Sequence, residues 1–272
     1  MAKSRVQEYA GKFADQPIRF TPYALKKTGL VQSQVFLKIE DYVLICAPFQ
    51  LSMRRGVFLV VLSSQEIAFF QQFHKKICSI NVTFQRVGSK KPLTFLLRGS
   101  LERLGPVKGR QNVCMMDVAV KSCPNDLVEI IGEYLAGFVS LRALYESYKE
   151  KTIAVDEAAA KVMRFNNYVE VMLGTAKVRA TLLNLSVRAL RVRLSMALPG
   201  LEVGSACAAK MYFQIYQFAV GGKVTGMSPM DAAGQCIVEM DIEFSPELVE
   251  IVDDFSFRQS IHGRRGDAQP AR

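Results

Sequence analysis

The residues able to do covalent or metal chemistry are few and scattered. The chain has two histidines, His74 and His262, and six cysteines, Cys46, Cys78, Cys114, Cys123, Cys207 and Cys236. A zinc site needs clustered thiolates and imidazoles, and no C-x-x-C pair is present, so no metal is expected. His74 falls on the polar side of an expected helix and His262 in a polar tail, where each is expected to be solvated. The acidic residues form no tight pair suited to acid and base. There is no G-x-x-x-x-G-K-[ST] loop, no G-x-G-x-x-G after a strand, no H-E-x-x-H and no G-x-S-x-G. The chain is therefore expected not to be an enzyme, and no cofactor is expected.

What the sequence has in quantity is positive charge. Lysines and arginines number 35 against 25 acidic residues, a net charge of +10. The excess is lopsided: residues 1–140 carry 19 basic and 10 acidic side chains, residues 141–272 carry 16 and 15. Such a half is either a solvated basic face or an attractor of phosphates. Arg188, Arg191 and Arg193 are similarly open, as wet strand charges or as planar forks that grip phosphate or guanine. Nucleic acid is disfavoured as a partner, because aromatic residues are not interleaved with the basic ones.

Composition places these residues in a globular protein, with 50% hydrophobic and 22% charged residues. No apolar stretch follows the charges of MAKSRVQEYAGKF, so no signal peptide is expected. The longest apolar run, Val57 to Leu62, is far short of the about 20 residues of a membrane span. A cytoplasmic location with reduced, buried thiols is expected.

Periodicity supplies the elements. In QVFLKIEDYVLICAPF, Val35, Leu37 and Ile39 alternate with polar residues, a strand pattern that bends at Glu40 and Asp41. RRGVFLVVL is a continuous apolar run, expected to be a strand buried on both faces. Ser63 and Glu66 have capping-box spacing before a helix carrying Phe69, Phe70 and Phe73. SINVTFQRV, KPLTFLLRGSLERLGPV and QNVCMMDVAV read as strands. A helix over 124–150 carries the stripe Leu127, Ile130, Ile131, Tyr134, Leu135 and Phe138, and VDEAAAKVMR is a second helical piece. Strand patterns return in NYVEVML, VRATLLNLS, ALRVRLSMAL, ACAAKMYFQIYQFAV, KVTGMSPM and QCIVEMDIEF, with Gly221-Gly222 expected as a hairpin. Ser245-Pro246-Glu247 opens a closing helix.

The expected fold is mainly β with a few helices: two small antiparallel β-barrels joined by a helical connector. The expected division is an irregular lead-in (1–30), a first barrel (31–140), a connector (141–164), a second barrel with its closing helix (165–256) and a disordered basic tail (257–272).

Two stretches carry a resemblance to a family. Pro48, Leu51 and Met53, with Pro124, Asp126, Leu127, Ile130, Ile131, Gly132 and Leu135, resemble the "PxxLxM" strand end and "PxDLxxIIGxYL" helix of two-domain PilZ proteins. TLLNLSVRALRVRL resembles their D/N-x-S-x-x-G strand, and the strands and "F-s-p" helix that follow resemble their tail. The resemblance spans roughly residues 30–255. It implies a cyclic di-GMP-binding effector that changes its domain arrangement on binding, or a degenerate module that has lost the nucleotide and acts through a protein partner. By the same resemblance, Asn184 and Ser186 contact guanine, Arg142 or Lys149 stands for the family's connector arginine pair, and Arg188 adds charge. The sequence departs from the family where Ala189 holds the glycine position and where the connector lacks a second arginine.

Overall fold

A computed structural model describes residues 4–86, 88–214 and 216–266, and of residues 262–266 the backbone alone. The chain divides into two compact units, Met1–Phe138 and Val139–Arg272. The fold class is as expected: mostly β, with six α-helices among the described residues. None of them is long and apolar enough to cross a membrane.

The first unit opens with two capped helices where an irregular lead-in was expected. In α1 (Arg5–Phe13) the Ser4 hydroxyl accepts from the Gln7 amide while the Gln7 side chain accepts from the Ser4 amide. After β1 (Ile18–Arg19), the Thr21 hydroxyl caps α2 (Pro22–Thr28), which has proline in its first turn. These are propensity signals over short stretches, and Tyr9, Phe13 and Tyr23 dock them by burial. The strands follow as β2 (Phe36–Ile39), β3 (Tyr42–Ile45), β4 (Ala47–Leu51) and β5 (Arg55–Val61). Then come α3 (Ser64–Gln71), β6 (Ile77–Phe84), β7 (Leu93–Pro106), β8 (Val113–Val120) and α4 (Asn125–Tyr148).

All eight strands pair antiparallel in the order β1-β4-β5-β8-β7-β6-β2-β3. Only Cys46 separates β3 from β4, and its amide donates to the Val35 carbonyl at 3.0 Å. One bent stretch thus pairs with β2 through its first half and with β5 through its second, so the sheet returns on itself. Inside it pack Leu37, Phe58, Ile80, Leu97 and Met116, and Leu127 and Ile131 of α4 join the same cluster. Most of the family-like motif is this core: Pro48, Leu51, Met53, Leu127, Ile130, Ile131, Gly132 and Leu135 are all buried. Gly132 is required because a β-carbon there would collide with the Tyr9 ring. The expectation for β5 needs correction. Phe58 and Val60 are buried in the core, whereas the other face is graded, with Val57 buried, Leu59 half-buried and Val61 77% exposed, so the run opens outward only towards its end.

The second unit contains β9 (Ile153–Ala154), α5 (Glu157–Met163), β10 (Phe165–Leu173), β11 (Ala176–Leu185) and β12 (Ala189–Leu194). It continues through β13 (Ala206–Phe213), β14 (Gln217–Met227), β15 (Cys236–Ile242) and α6 (Pro246–Gly266). The order β10-β13-β14-β15-β12-β11 closes through direct β10–β11 pairing into a six-stranded barrel, to which β9 adds beside β11. Two sequence expectations fail here. Gly221 and Gly222 lie inside β14, and the β13–β14 hairpin falls before Gln217. A β-carbon on Gly222 would strike the Asp241 carbonyl of β15, so the glycine serves close strand approach instead of a turn. The closing helix also runs to Gly266, beyond the end expected near Ser256, with Arg258 paired to Asp254 one turn back. Residues 267–272 lie outside the described residues, as does the side chain of His262.

All six cysteines are free thiols, and Cys46, Cys78, Cys114, Cys207 and Cys236 are buried. Burial pushes the Cys46 thiol up to about 12 and the Cys78 thiol up to about 11.

Candidate functional site

The five residues singled out from the sequence all lie in the second unit, on or just past the last turns of α4 and around the β11–β12 turn. That turn is built by Ser186. Its amide donates to the Ala189 carbonyl at 2.9 Å. Its hydroxyl accepts from the amides of Ala189 at 2.9 Å and Arg188 at 3.3 Å, and lies 3.2 Å from the Ala189 carbonyl, to which it donates. Ser186 is 4% exposed. Serine suits this position because one hydroxyl can both accept from and donate to a tight turn. Ser186 therefore holds the backbone that presents Arg188 and Ala189.

Asn184 sits at an irregularity in β11, where the register against β12 shifts between Leu182 and Asn184. Its neighbours across the sheet are Arg191 on one side and Ala154 of β9 on the other. It is half-buried. Among the described residues no group bonds its carboxamide, so its donor and its acceptor are both unengaged there.

Arg188 is exposed, and its guanidinium lies 3.6 Å from the Glu150 carboxylate just past the end of α4. Its carbonyl accepts from the Ile242 amide at 2.8 Å, which ties the turn to β15. Two residues on is Phe244. Arg142 lays its guanidinium over that ring, 3.6 Å from the centroid, and Tyr145 meets the same ring edge-on at 5.3 Å. Lys149 pairs with Glu146 at 2.5 Å and reaches over Tyr145. The end of α4 is held by a Tyr148 hydroxyl that donates to Asp253 of α6 at 2.7 Å and by Lys151 on Ser256 at 2.7 Å. The Asp253 bond, with burial, pushes the Tyr148 phenol above its ordinary range.

The structure thus links the sequence-predicted residues through short paths. Arg188 meets the connector at Glu150, Asn184 meets β9, and Arg142 meets the strand end that follows the turn. Phe244 was not singled out, although it is the aromatic of the F-s-p stretch and sits where an arginine can stack on it. Arg191, directly across from Asn184, is engaged by Glu239 at 3.4 Å. Arg142, Arg188 and Arg191 supply the charge and planar surface that a phosphate or purine binds. Among the described residues no group of three or more His, Cys, Asp or Glu could hold a metal ion.

Comparison with known proteins gives the family of the first unit. Residues 4–137 match the PilZN3 domain, which is nearly the whole first unit. The first unit is a PilZN3 domain. No curated protein matches the chain. Among solved structures it is similar to the Borreliella burgdorferi PlzA protein in complex with c-di-GMP, at 12% identity over 92% of this chain and 98% of that one, with a TM-score of 0.44. It is also similar to YcgR of Escherichia coli in complex with c-di-GMP, at 12% identity over 90% of each chain, TM-score 0.30. The K. pneumonia MrkH–c-di-GMP complex is 6% identical over 90% of this chain and 93% of that one, TM-score 0.31.

Proposed function

We propose that the chain is a cyclic di-GMP effector whose nucleotide binds on the face formed by the end of α4, the Ser186 turn and Phe244. The observation that carries this reading is the unengaged carboxamide of Asn184, half-buried beside Arg188 and Arg191 in a family of nucleotide receptors. Asn184 bonds a guanine edge, Arg188 turns from Glu150 to a phosphate, and Arg142 with Phe244 offers a planar platform for a base. Ser186 acts by holding the turn. Binding draws the connector onto the barrel and so alters the arrangement of the two domains. The reading assigns no catalytic step to the chain.

A second reading has its own support. Lys149 is paired with Glu146, Arg188 with Glu150 and Arg191 with Glu239, and Ala189 puts a methyl where the family has hydrogen. A face so internally compensated suits a module that has given up the nucleotide and acts through a protein partner.

Calorimetric titration of the full chain with cyclic di-GMP at physiological salt separates the two. The receptor reading expects micromolar binding that weakens by about tenfold or more in Asn184→Ala, the loss of one well-placed hydrogen bond. No heat up to about a millimolar, roughly −4 kcal/mol in affinity, overturns it in favour of the second reading.

A further inference from the structure

The correction at β5 leaves an outward face to account for. On β4, β5, β8 and β7 the register sets three rows of outward side chains. The first is Val61, Val113 and, just past β7, Val107. The second is Ala47, Leu59, Met115 and Gly105. The third is Gln50, Val57, Asp117 and Arg103. The outward side of a small barrel alternates polar against the buried side, yet two of these rows are wholly apolar. Val61 is 77% and Met115 37% exposed. With strands about 4.8 Å apart and same-facing residues about 6.8 Å apart, the three rows together cover roughly 14 Å by 14 Å, of which the two apolar rows take about half.

The third row changes character. Asp117, 7% exposed, is engaged by a bidentate Arg55. Past it a cleft of about 630 Å³ opens, lined by Phe49, Val57, Arg103, Lys108, Met115 and Asp117 among others. Both carboxylates on this cleft are neutralised, Asp117 by Arg55 and Asp15 by Arg54 at 3.0 Å. Arg103 and Lys108 are exposed and have no ion-pair or hydrogen-bond partner among the described residues. The face therefore presents apolar surface and uncompensated positive charge side by side, within the half of the chain that holds nearly all of the net charge.

We infer that this face of the first unit docks an acidic segment of a partner protein, one that seats an apolar side chain on Val61 and Met115 and sets carboxylates against Arg103 and Lys108. Charge complementarity selects the occupant: a second copy of this chain would bring like charge against like, at a net charge of +10 each. Area agrees, since a patch of roughly 200 Å² suits a short segment and stable protein pairs need roughly 800 Å² a side. This face belongs to the first unit and the proposed nucleotide face to the second, so the inference stands under either reading of the second unit.

The test is selection of a displayed random-peptide library on the immobilised full chain, followed by fluorescence anisotropy with the recovered peptides. The expected consensus places Asp or Glu beside Leu, Ile or Phe. The expected affinity falls about tenfold or more in Val61→Asp and Met115→Asp, and several-fold with a flatter salt dependence in Arg103→Glu. Lys177→Glu on the second unit leaves it unchanged, and matching melting temperatures show that each variant is folded. The inference is overturned if no acidic–apolar consensus emerges, or if the peptides bind these variants as they bind the native chain. It is equally overturned if phosphatidylglycerol vesicles bind in a Val61- and Arg103-dependent way that the peptides do not compete, which would make the face a membrane contact.

Discussion

On the first barrel, Leu59, Val61, Val113 and Met115 turn outward, and the Arg103 and Lys108 side chains beside them make no ion pair or hydrogen bond among the described residues. On the second barrel the exposed groups largely satisfy one another. Glu170 accepts from the Tyr212 hydroxyl at 2.5 Å and pairs with Lys177 at 3.7 Å. Arg179 lies over Tyr168, and Arg188 and Arg191 each have a carboxylate. A ligand on the second barrel must exchange existing contacts, and a ligand on the first adds contacts where none are made. Exposed pairs contribute only about 0.2–1 kcal/mol each, so exchange is affordable when the incoming bonds are better. The difference is one of selectivity: the second face admits only a ligand that outbids its own carboxylates, whereas the first admits any partner of matching charge and apolar content.

The strongest way to break this contrast is within one strand. Phe58→Ala, on the inward side of β5, is expected to cost about 3–5 kcal/mol in urea unfolding, whereas Val61→Ser, on the outward side, should stay within about 0.5 kcal/mol. A loss at Val61 comparable to that at Phe58 would make the outward face part of the folding core. On the second barrel, Ser186→Ala removes a buried hydroxyl from its turn and should cost about 1–3 kcal/mol. A thermally unchanged Ser186→Ala that nonetheless loses nucleotide would instead make the hydroxyl a ligand contact.

Smaller effects sharpen the contrast. Glu150→Gln releases Arg188, and stability should move by less than about 0.5 kcal/mol while cyclic di-GMP affinity rises by up to about fivefold, the equivalent of one exposed pair. Weaker binding in that variant would show Glu150 itself touching the ligand. Finally, the hydrogen bond to Glu170 pushes Tyr212 up to about 12, and burial with nearby carboxylates pushes Tyr216 up to about 12. Unfolded tyrosines ionise near about 10. A raised folded value means that this stabilisation is whole below pH about 10 and is lost as pH climbs from there through about 12. An absorbance titration should show late phenols besides that of Tyr148, one lost in Tyr212→Phe and one in Tyr216→Phe; early ionisation of both would mean those contacts do not persist in solution.

The sequence was most legible where a residue does one thing. Leu127, Ile130, Ile131 and Leu135 recur at helical spacing because one face of α4 is buried, and Ser63 with Glu66 caps α3 as their spacing requires. It was least legible where one pattern has two causes. An apolar run such as RRGVFLVVL looks the same whether both faces are buried or one is left for a partner. Two glycines in a row look like a hairpin whether they turn the chain or let two strands approach. The helices of the first thirty residues are short, and their anchoring by Tyr9, Phe13 and Tyr23 is tertiary. At the candidate site, Asn184 and Arg188 were readable as types, but the carboxylates that engage Arg188 and Lys149 and the Phe244 ring under Arg142 depend on elements far apart in the chain.

The buried thiols give each unit a clock of its own. Alkylating reagents attack thiolates, and burial both shields Cys46, Cys78 and Cys114 in the first unit and Cys207 and Cys236 in the second and holds them protonated. Modification therefore waits for the surrounding strands to open. Pulsed labelling followed by mass analysis would time the opening of the two barrels separately in a single sample, with no engineered probe, and adding nucleotide would show which clock slows.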